Sequence, residues 1–315
     1  MFKNKKIAVI VPAYNEEKNI SKVIETMPGF VDLIILVNDA STDKTVEMLF
    51  NSPQKKRLTI INNIKNQGVG GAIIAGYHEA LNKGMDIMAV MAGDAQMEPK
   101  ELESIISPVI EGRTDYAKGE RITSSYAWRN IPKIRFVAGI ILSCLTKVVS
   151  GYWHVIDPQS GFTAISEKAL RAIEVDRVYK RYGFPNAMLT ELNIANQRVQ
   201  DVPITPIYHQ DGVSGIRYER IIFTLSLLLI KLFLHRVWQK YTLRNSHPLV
   251  LFYLLGSVTF LSGIAVGAVV YFVKGYIALT VVVFTAILII SGLQLLLFAM
   301  WFDMEENRHL CIYKN

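Results

Sequence analysis

A chain of 315 residues has room for one large domain or two modest ones, and its two cysteines, Cys144 and Cys311, lie far apart without metal-ligand spacing, which argues against a disulfide framework or a zinc site. The net charge of +7 and a pI near 9.2 call for an anionic partner. Basic residues concentrate in the mostly apolar run from Arg217 to Arg244, next to a long uncharged stretch, so a membrane surface with its lipids fits better than nucleic acid.

In chain order, "KIAVIVPA", "DLIILVN", "RLTIIN" and "DIMAVMAG" are compact β-branched apolar runs of strand length. The first follows a basic N-terminus but ends at Pro12 and runs into acids without a small-residue cleavage site, so it reads as a buried strand, not a signal peptide. Helical stretches are expected at Glu16–Met27, Asp43–Phe50 and Gly70–Lys83. Repeated strand–helix–strand units imply a mostly parallel α/β sheet covered on both faces. Ligands bind such sheets outside the carboxyl ends of the strands. There lie "PAYNEE", "NDASTD", "NNIKNQG" and "GDAQ", four polar loops outlining one site.

Further on, "DYAKGERI" reads as a strand with a basic end, and the apolar segment "IRFVAGIILSCLTKVVSGYW" as a helix too interrupted by Arg135 and Lys147 to span a membrane. "DPQSGFTAIS" turns into a strand, and "RVQDVPITPIYH" supplies the last one. Arg217 to Tyr241 forms an amphipathic segment. Leu249–Val273 and Ile277–Phe302 are uncharged, and each exceeds the roughly 20 residues that cross a bilayer core. The expected organisation is a catalytic domain over 1–212, juxtamembrane helices over 213–246, a two-helix transmembrane hairpin over 247–304 and a tail over 305–315. The basic cluster before the first span and the short "KGY" link place both chain ends and the catalytic domain in the cytoplasm.

Several motifs read two ways when taken singly. Ser41, Thr42 and Asp43 can cap a following helix or belong to a site. Gly68, Gly70 and Gly71 open a helix whose backbone N–H groups either approach a diphosphate or simply pack closely on the sheet. Asp94 and Gln96, two residues apart, point the same way on an extended loop and supply two hard oxygen ligands for Mg2+ or Mn2+, or Asp94 caps the helix after Pro99. His78 and His154 are assigned no role.

Taken together, "VPAYNEE", "VNDASTD", "NQGVGGAIIAGY", "MAGDAQMEP", "GERI", "DPQSGF" and the C-terminal membrane pair resemble family 2 glycosyltransferases of the GT-A fold. The likeness is to the branch of dolichol-phosphate mannose synthases and polyprenyl-phosphate glycosyltransferases. It implies that Pro12, Ala13, Tyr14 and Glu16 line the base and ribose pocket, and that Asn38 and Asp39 hold the nucleoside. It also implies Gly68, Gly70 and Gly71 at the diphosphate, Asp94 and Gln96 at the metal, Arg121 and Arg135 at the carrier's phosphate, and Asp157 and Gln159 on substrate. Arg129 and Lys133 read as a solvated basic face. Three departures stand out: Asn38 and Ala92 replace acids usual in the family, and Val69 replaces a frequent lysine.

The implied activity is inverting transfer of a hexose from a nucleotide sugar, UDP-sugar first, to polyprenyl or dolichyl phosphate for glycan or glycoprotein assembly. Catalysis is expected to rest on Asp94, Arg121 and Arg135. GDP-mannose-dependent dolichol-phosphate mannose synthesis is the alternative. A processive polysaccharide synthase is disfavoured by the lack of a "QxxRW"-type motif and of further spans. A non-catalytic sugar-nucleotide-binding scaffold is the rival outside the enzymes. The basic helices are compatible with a monomer or a homo-oligomer.

Overall fold

The computed structural model describes residues 1–122, 133–205, 207, 218–276 and 278–312, with the backbone alone in 133–138 and 218–223. The chain divides into two compact units, Met1–Phe233 with His309–Asn315, and Leu234–Arg308.

The first unit is built on one sheet. Strands β1 (Ile7–Ala13), β2 (Leu33–Asn38), β3 (Leu58–Asn62) and β4 (Ile87–Val90) fall on the four apolar runs. They continue in β5 (Tyr116–Glu120), β6 (Thr163–Ser166), β7 (Val199–Pro203) and the two-residue β8 (Cys311–Ile312). The order across the sheet is β3-β2-β1-β4-β6-β5-β7-β8, parallel except for β6. Alternate residues of a strand face opposite sides. Accordingly Ala8, Ile10, Ile35 and Val37 enter one core, and Ile7, Val9, Val11, Ile34 and Leu36 the other. Both faces are buried, which is why these strands read as unbroken apolar runs.

Helix α1 (Ile20–Glu25) and α3 (Leu102–Ile110) cover one face, and α2 (Val69–Asn82) with α6 (Phe184–Ile194) the other. Between them come α4 (Lys133–Ser150) and α5 (Glu167–Ala172). Two helical expectations are corrected. Residues 16–19 are not helical, because Glu16 N and Glu17 N donate to Thr45 Oγ1 and Asp43 Oδ2 across the gap to the next loop. The stretch Asp43–Phe50 holds only the single 3-10 turn Glu47–Leu49; the Asp43 carboxylate and the Thr45 hydroxyl are committed to Glu17 N and Glu16 N of the loop after β1.

The antiparallel strand matters for function. Because β6 runs against its neighbours, its first residue, Thr163, sits opposite Val90 and Lys118. The segment leading into it, Asp157–Phe162, therefore arrives at the same sheet edge as the loops after β1, β2 and β4. The tail expected at 305–315 does not hang free throughout: Cys311 and Ile312 pair in parallel with Val199 and Gln200.

In the first unit α7 (Tyr218–Arg236) begins, and the chain crosses into the second unit at Leu234. That unit continues with a π-helical segment, Val237–Arg244, and two long helices, α8 (Leu249–Lys274) and α9 (Leu279–Glu306). Both are long and apolar enough to cross a bilayer, and they pack through Gly256, Gly263 and Gly292. At one end of this hairpin Arg236 makes a fully buried two-bond pair with Asp303, 2.7 and 3.0 Å. Asn307 Nδ2 donates to both Asp303 Oδ1 and the Tyr241 hydroxyl, and Lys240 Nζ to Asn307 Oδ1. Arg236, Asp303 and Asn307 are fully buried, and their polar groups are paired with one another through this network.

Candidate active site

The loops after β1 and β2 are stitched together. Asn15, in the left-handed region at φ 57°, accepts from Thr42 N at 2.8 Å, and its own N–H donates to Ser41 Oγ at 3.0 Å. Ser41, Thr42 and Asp43 are thus neither plain helix caps nor free site residues; they hold the first loop in place. Pro12 and Ala13 are buried in the sheet, and act through their carbonyls, which accept from Gly93 N and Asp39 N. Tyr14 stands half exposed at the rim.

Asp39 is almost completely buried and organises the third loop. Its carboxylate accepts from Asn63 Nδ2 and Gln67 N on one oxygen, and from Gly68 N on the other, at 2.8–2.9 Å. Asn38 is likewise committed, donating to Asn62 Oδ1 and accepting from Ser41 N. An acid at position 38 would face the Asn62 carbonyl oxygen instead of donating to it, so the amide suits its neighbours.

The glycines at the start of α2 follow the packing alternative in large part. Gly68 N–H is used by Asp39, and Gly71 N–H by the Lys180 carbonyl at 3.1 Å, so neither is available to a diphosphate. At Gly70 a Cβ would lie 2.5 Å from the Phe184 ring and 2.9 Å from Lys180 C. The bare backbone lets the Lys180–Phe184 segment dock directly on the helix start.

Asp94 and Gln96 flank Ala95, which takes φ 57°, and both line a cavity of about 120 Å³ with Arg121, Ser160 and Gly161. Asp94 Oδ1 accepts from Gln96 N at 3.1 Å. Burial, followed by the charges of Asp94 and Asp43, raises the Glu16 carboxyl above its ordinary value against an opposing hydrogen bond from Asn19. The Glu16 carboxyl on the first loop therefore lies within the electrostatic reach of acids on the second and fourth loops. Among the described residues no three His, Cys, Asp or Glu side chains cluster as a metal site. The available set is a carboxylate with an amide oxygen, which suits a hard cation that keeps water and substrate oxygens.

Arg121 and Asp157 meet as a pair. Arg121 Nε and Nη2 donate to the two Asp157 oxygens at 2.7 and 3.1 Å, and Arg121 N adds a longer bond. Burial alone pushes the Asp157 carboxyl up, but Arg121, with help from the Lys118 charge, holds it below the usual carboxylate range. Lys118 is itself buried, bonds the Asp157 carbonyl and stands opposite Asp201 in the β5–β7 register. Gln159 donates to Asn186 Oδ1 at 2.8 Å. Arg129 lies outside the described residues, and so do the side chains of Lys133 and Arg135, whose backbone lies in the first turn of α4.

A larger cavity, about 300 Å³, adjoins the first through Arg121, Ser160 and Gly161. It also takes in Val69, Arg181, Tyr182 and Phe184, the last three from a stretch that the motifs left unassigned. The signal was present in "KRYGFP": a basic pair, an aromatic, a glycine at φ 129° and a proline in the first turn of a helix. His78 bonds the exposed Asp176, and His154 the Val199 carbonyl. Burial depresses the His154 pKa to about 4, so it stays neutral and structural.

The model of "Glycosyl transferase family 2" matches residues 8–174. A UDP-N-acetylglucosamine–dolichyl-phosphate N-acetylglucosaminyltransferase of Methanococcus voltae is 31% identical over 67% of this chain and 89% of that protein. An undecaprenyl-phosphate mannosyltransferase of Micrococcus luteus is 27% identical over 66% and 86%. Among solved structures, glucosyl-3-phosphoglycerate synthase of Mycobacterium tuberculosis, crystallised with Mn2+, UDP and glucosyl-3-phosphoglycerate, superposes with a TM-score of 0.55. It is 18% identical, and the match covers 74% of this chain and 80% of that one; the shared feature is the GT-A fold.

Proposed function

The chain belongs to glycosyl transferase family 2, and on that premise we propose that it moves a sugar from a nucleotide sugar to polyprenyl or dolichyl phosphate at a membrane surface. The observation that carries this reading is the convergence of Asp94, Gln96 and Arg121 on one cavity of a chain that also bears two bilayer-length helices. A UDP-linked sugar is the first donor, in keeping with the Methanococcus voltae relative, and GDP-mannose the second, in keeping with the mannosyltransferases.

In this reaction a phosphate oxygen of the carrier attacks the anomeric carbon as the bond to the nucleoside diphosphate breaks, inverting the configuration. A phosphate monoester with a second pKa near 6 is mostly dianionic at neutral pH, so it needs orientation more than a base. That accords with histidines that take no part. Arg121, held at a fixed angle by Asp157, is suited to orient the carrier phosphate, and Arg135 is assigned the same task. Asp39 and the loops it holds receive the nucleoside. Asp94 and Gln96 would hold a divalent cation, Mg2+ or Mn2+, which when bound offsets the charge gathering on the departing diphosphate.

The basic run before α8 and the return of Cys311–Ile312 to the catalytic sheet support a topology with the catalytic domain and both ends on the cytoplasmic face. The test is a donor screen: the full chain with Mg2+ or Mn2+, a short-chain polyprenyl phosphate, and UDP- and GDP-sugars, with products resolved by mass. A lipid-linked monosaccharide supports the reading, and its absence with every donor sinks it.

A further inference from the structure

We infer that Arg181 is a phosphate-binding residue of this site, an inference that rests on the function proposed above. Arg181 lines the 300 Å³ cavity that also contains Arg121. The two arginines differ in one respect. Arg121 is bonded to Asp157, whereas Arg181 has no carboxylate partner among the described residues. No aspartate or glutamate lines this cavity, and the first turn of α2 contains no acid either.

The position of Arg181 is fixed by the backbone. Gly71 N–H bonds the Lys180 carbonyl, Phe184 N–H bonds the Arg181 carbonyl, and a Cβ at Gly68 would lie 3.0 Å from Arg181 Cγ. The segment is locked onto the N-terminus of a 14-residue helix. Val69 brings no cation to that helix start, so Arg181 supplies the charge from across the groove. The Arg181 guanidinium, with Arg121 and Ser160 around one cavity that no acid lines, makes a phosphate site. Two phosphates enter this reaction, the donor's diphosphate and the carrier's monoester, and the same chemistry serves either.

The test uses the full chain in detergent micelles, with Arg181→Ala, Arg181→Lys and Arg181→Glu, and the paired surface variant Arg177→Ala as a charge control. Affinity for UDP and for GDP is measured by calorimetry, and KM for a short-chain polyprenyl phosphate by turnover. Losing one charge-assisted phosphate contact is expected to weaken one substrate about tenfold or more. Lysine should recover part of the loss, glutamate should exceed it, and the control should not move. Weakened UDP or GDP binding with unchanged carrier KM assigns Arg181 to the diphosphate; the reverse assigns it to the lipid phosphate. Both quantities within twofold of wild type in the alanine and glutamate variants overturn the inference. A wild-type chain that makes no product refutes the proposed function; weakened UDP or GDP binding in the variants then still supports Arg181 at a diphosphate, and unchanged binding overturns the inference. Wild-type protein that neither binds UDP or GDP nor turns over overturns both.

Discussion

Replacing Asp157 by asparagine keeps the shape of the side chain and removes its charge. In the native arrangement the carboxylate receives Nε and Nη2 of Arg121 on separate oxygens. An amide can accept only on one side, so its NH2 group faces a guanidinium donor at the other. Breaking a buried ion pair costs about 3–5 kcal/mol. Arg121 keeps 35% of its side chain exposed while Asp157 keeps 3%, so solvent recovers part of that, leaving about 2–3 kcal/mol. For a unit of this size the loss corresponds to roughly 5–10 °C in melting temperature. The pH dependence has a definite sign. The folded-state pKa of Asp157 lies below its ordinary value, so the pair's contribution is complete above about pH 4 and is lost as pH falls through the folded pKa. Melting followed by circular dichroism should therefore show a gap between wild type and Asp157→Asn at pH 7 that narrows below pH 4. Turnover at pH 7 should fall as well, because Arg121 is no longer held. Equal melting temperatures and equal turnover at pH 7 would refute the reasoning.

Gly70→Ala puts a methyl group against the Phe184 ring and the Lys180 carbonyl carbon, so it should weaken UDP or GDP binding in calorimetry without altering any charge. Unchanged affinity would mean that the docked segment does not shape the site. In the second unit, Arg236→Ala leaves Asp303 buried without its cation and should cost about 3–5 kcal/mol. This would appear as loss of monodisperse protein on size exclusion, whereas Arg236→Met with Asp303→Leu should recover much of it. Poor recovery in the double variant would show that the network with Tyr241 and Asn307 matters more than the ion pair.

The sheet was legible because four strands buried on both faces leave unbroken β-branched runs, and the loops at their carboxyl ends carry the polar motifs. The two bilayer-length helices were legible from length and lack of charge. Helix α6 was not, because Asn186, Thr190 and Asn193 are fully buried, so its polar residues hide the helical stripe instead of marking its outer face. Asn186 Oδ1 accepts from Thr146 Oγ1 and Gln159 Nε2, which come from two distant segments, a connection no local pattern announces. The helix expected over Asp43–Phe50 failed for a related reason: Asp43 and Thr45 bond the loop after β1, 26 and 29 residues away in sequence. At the site, residue types were readable but their commitments were not. Asp39, Asn38 and Asp157 look alike in sequence as polar residues awaiting a substrate, yet each is already engaged by backbone or side-chain partners.

In the proposed reaction the Asp94 loop works in sugar transfer to a lipid phosphate. The most direct measurement compares wild type and Asp94→Ala in one assay: nucleotide sugar, short-chain polyprenyl phosphate and Mn2+, with the lipid product quantified by mass. Product from wild type and none from Asp94→Ala, with both proteins melting alike, is the predicted result. Unchanged product formation in the variant would contradict it.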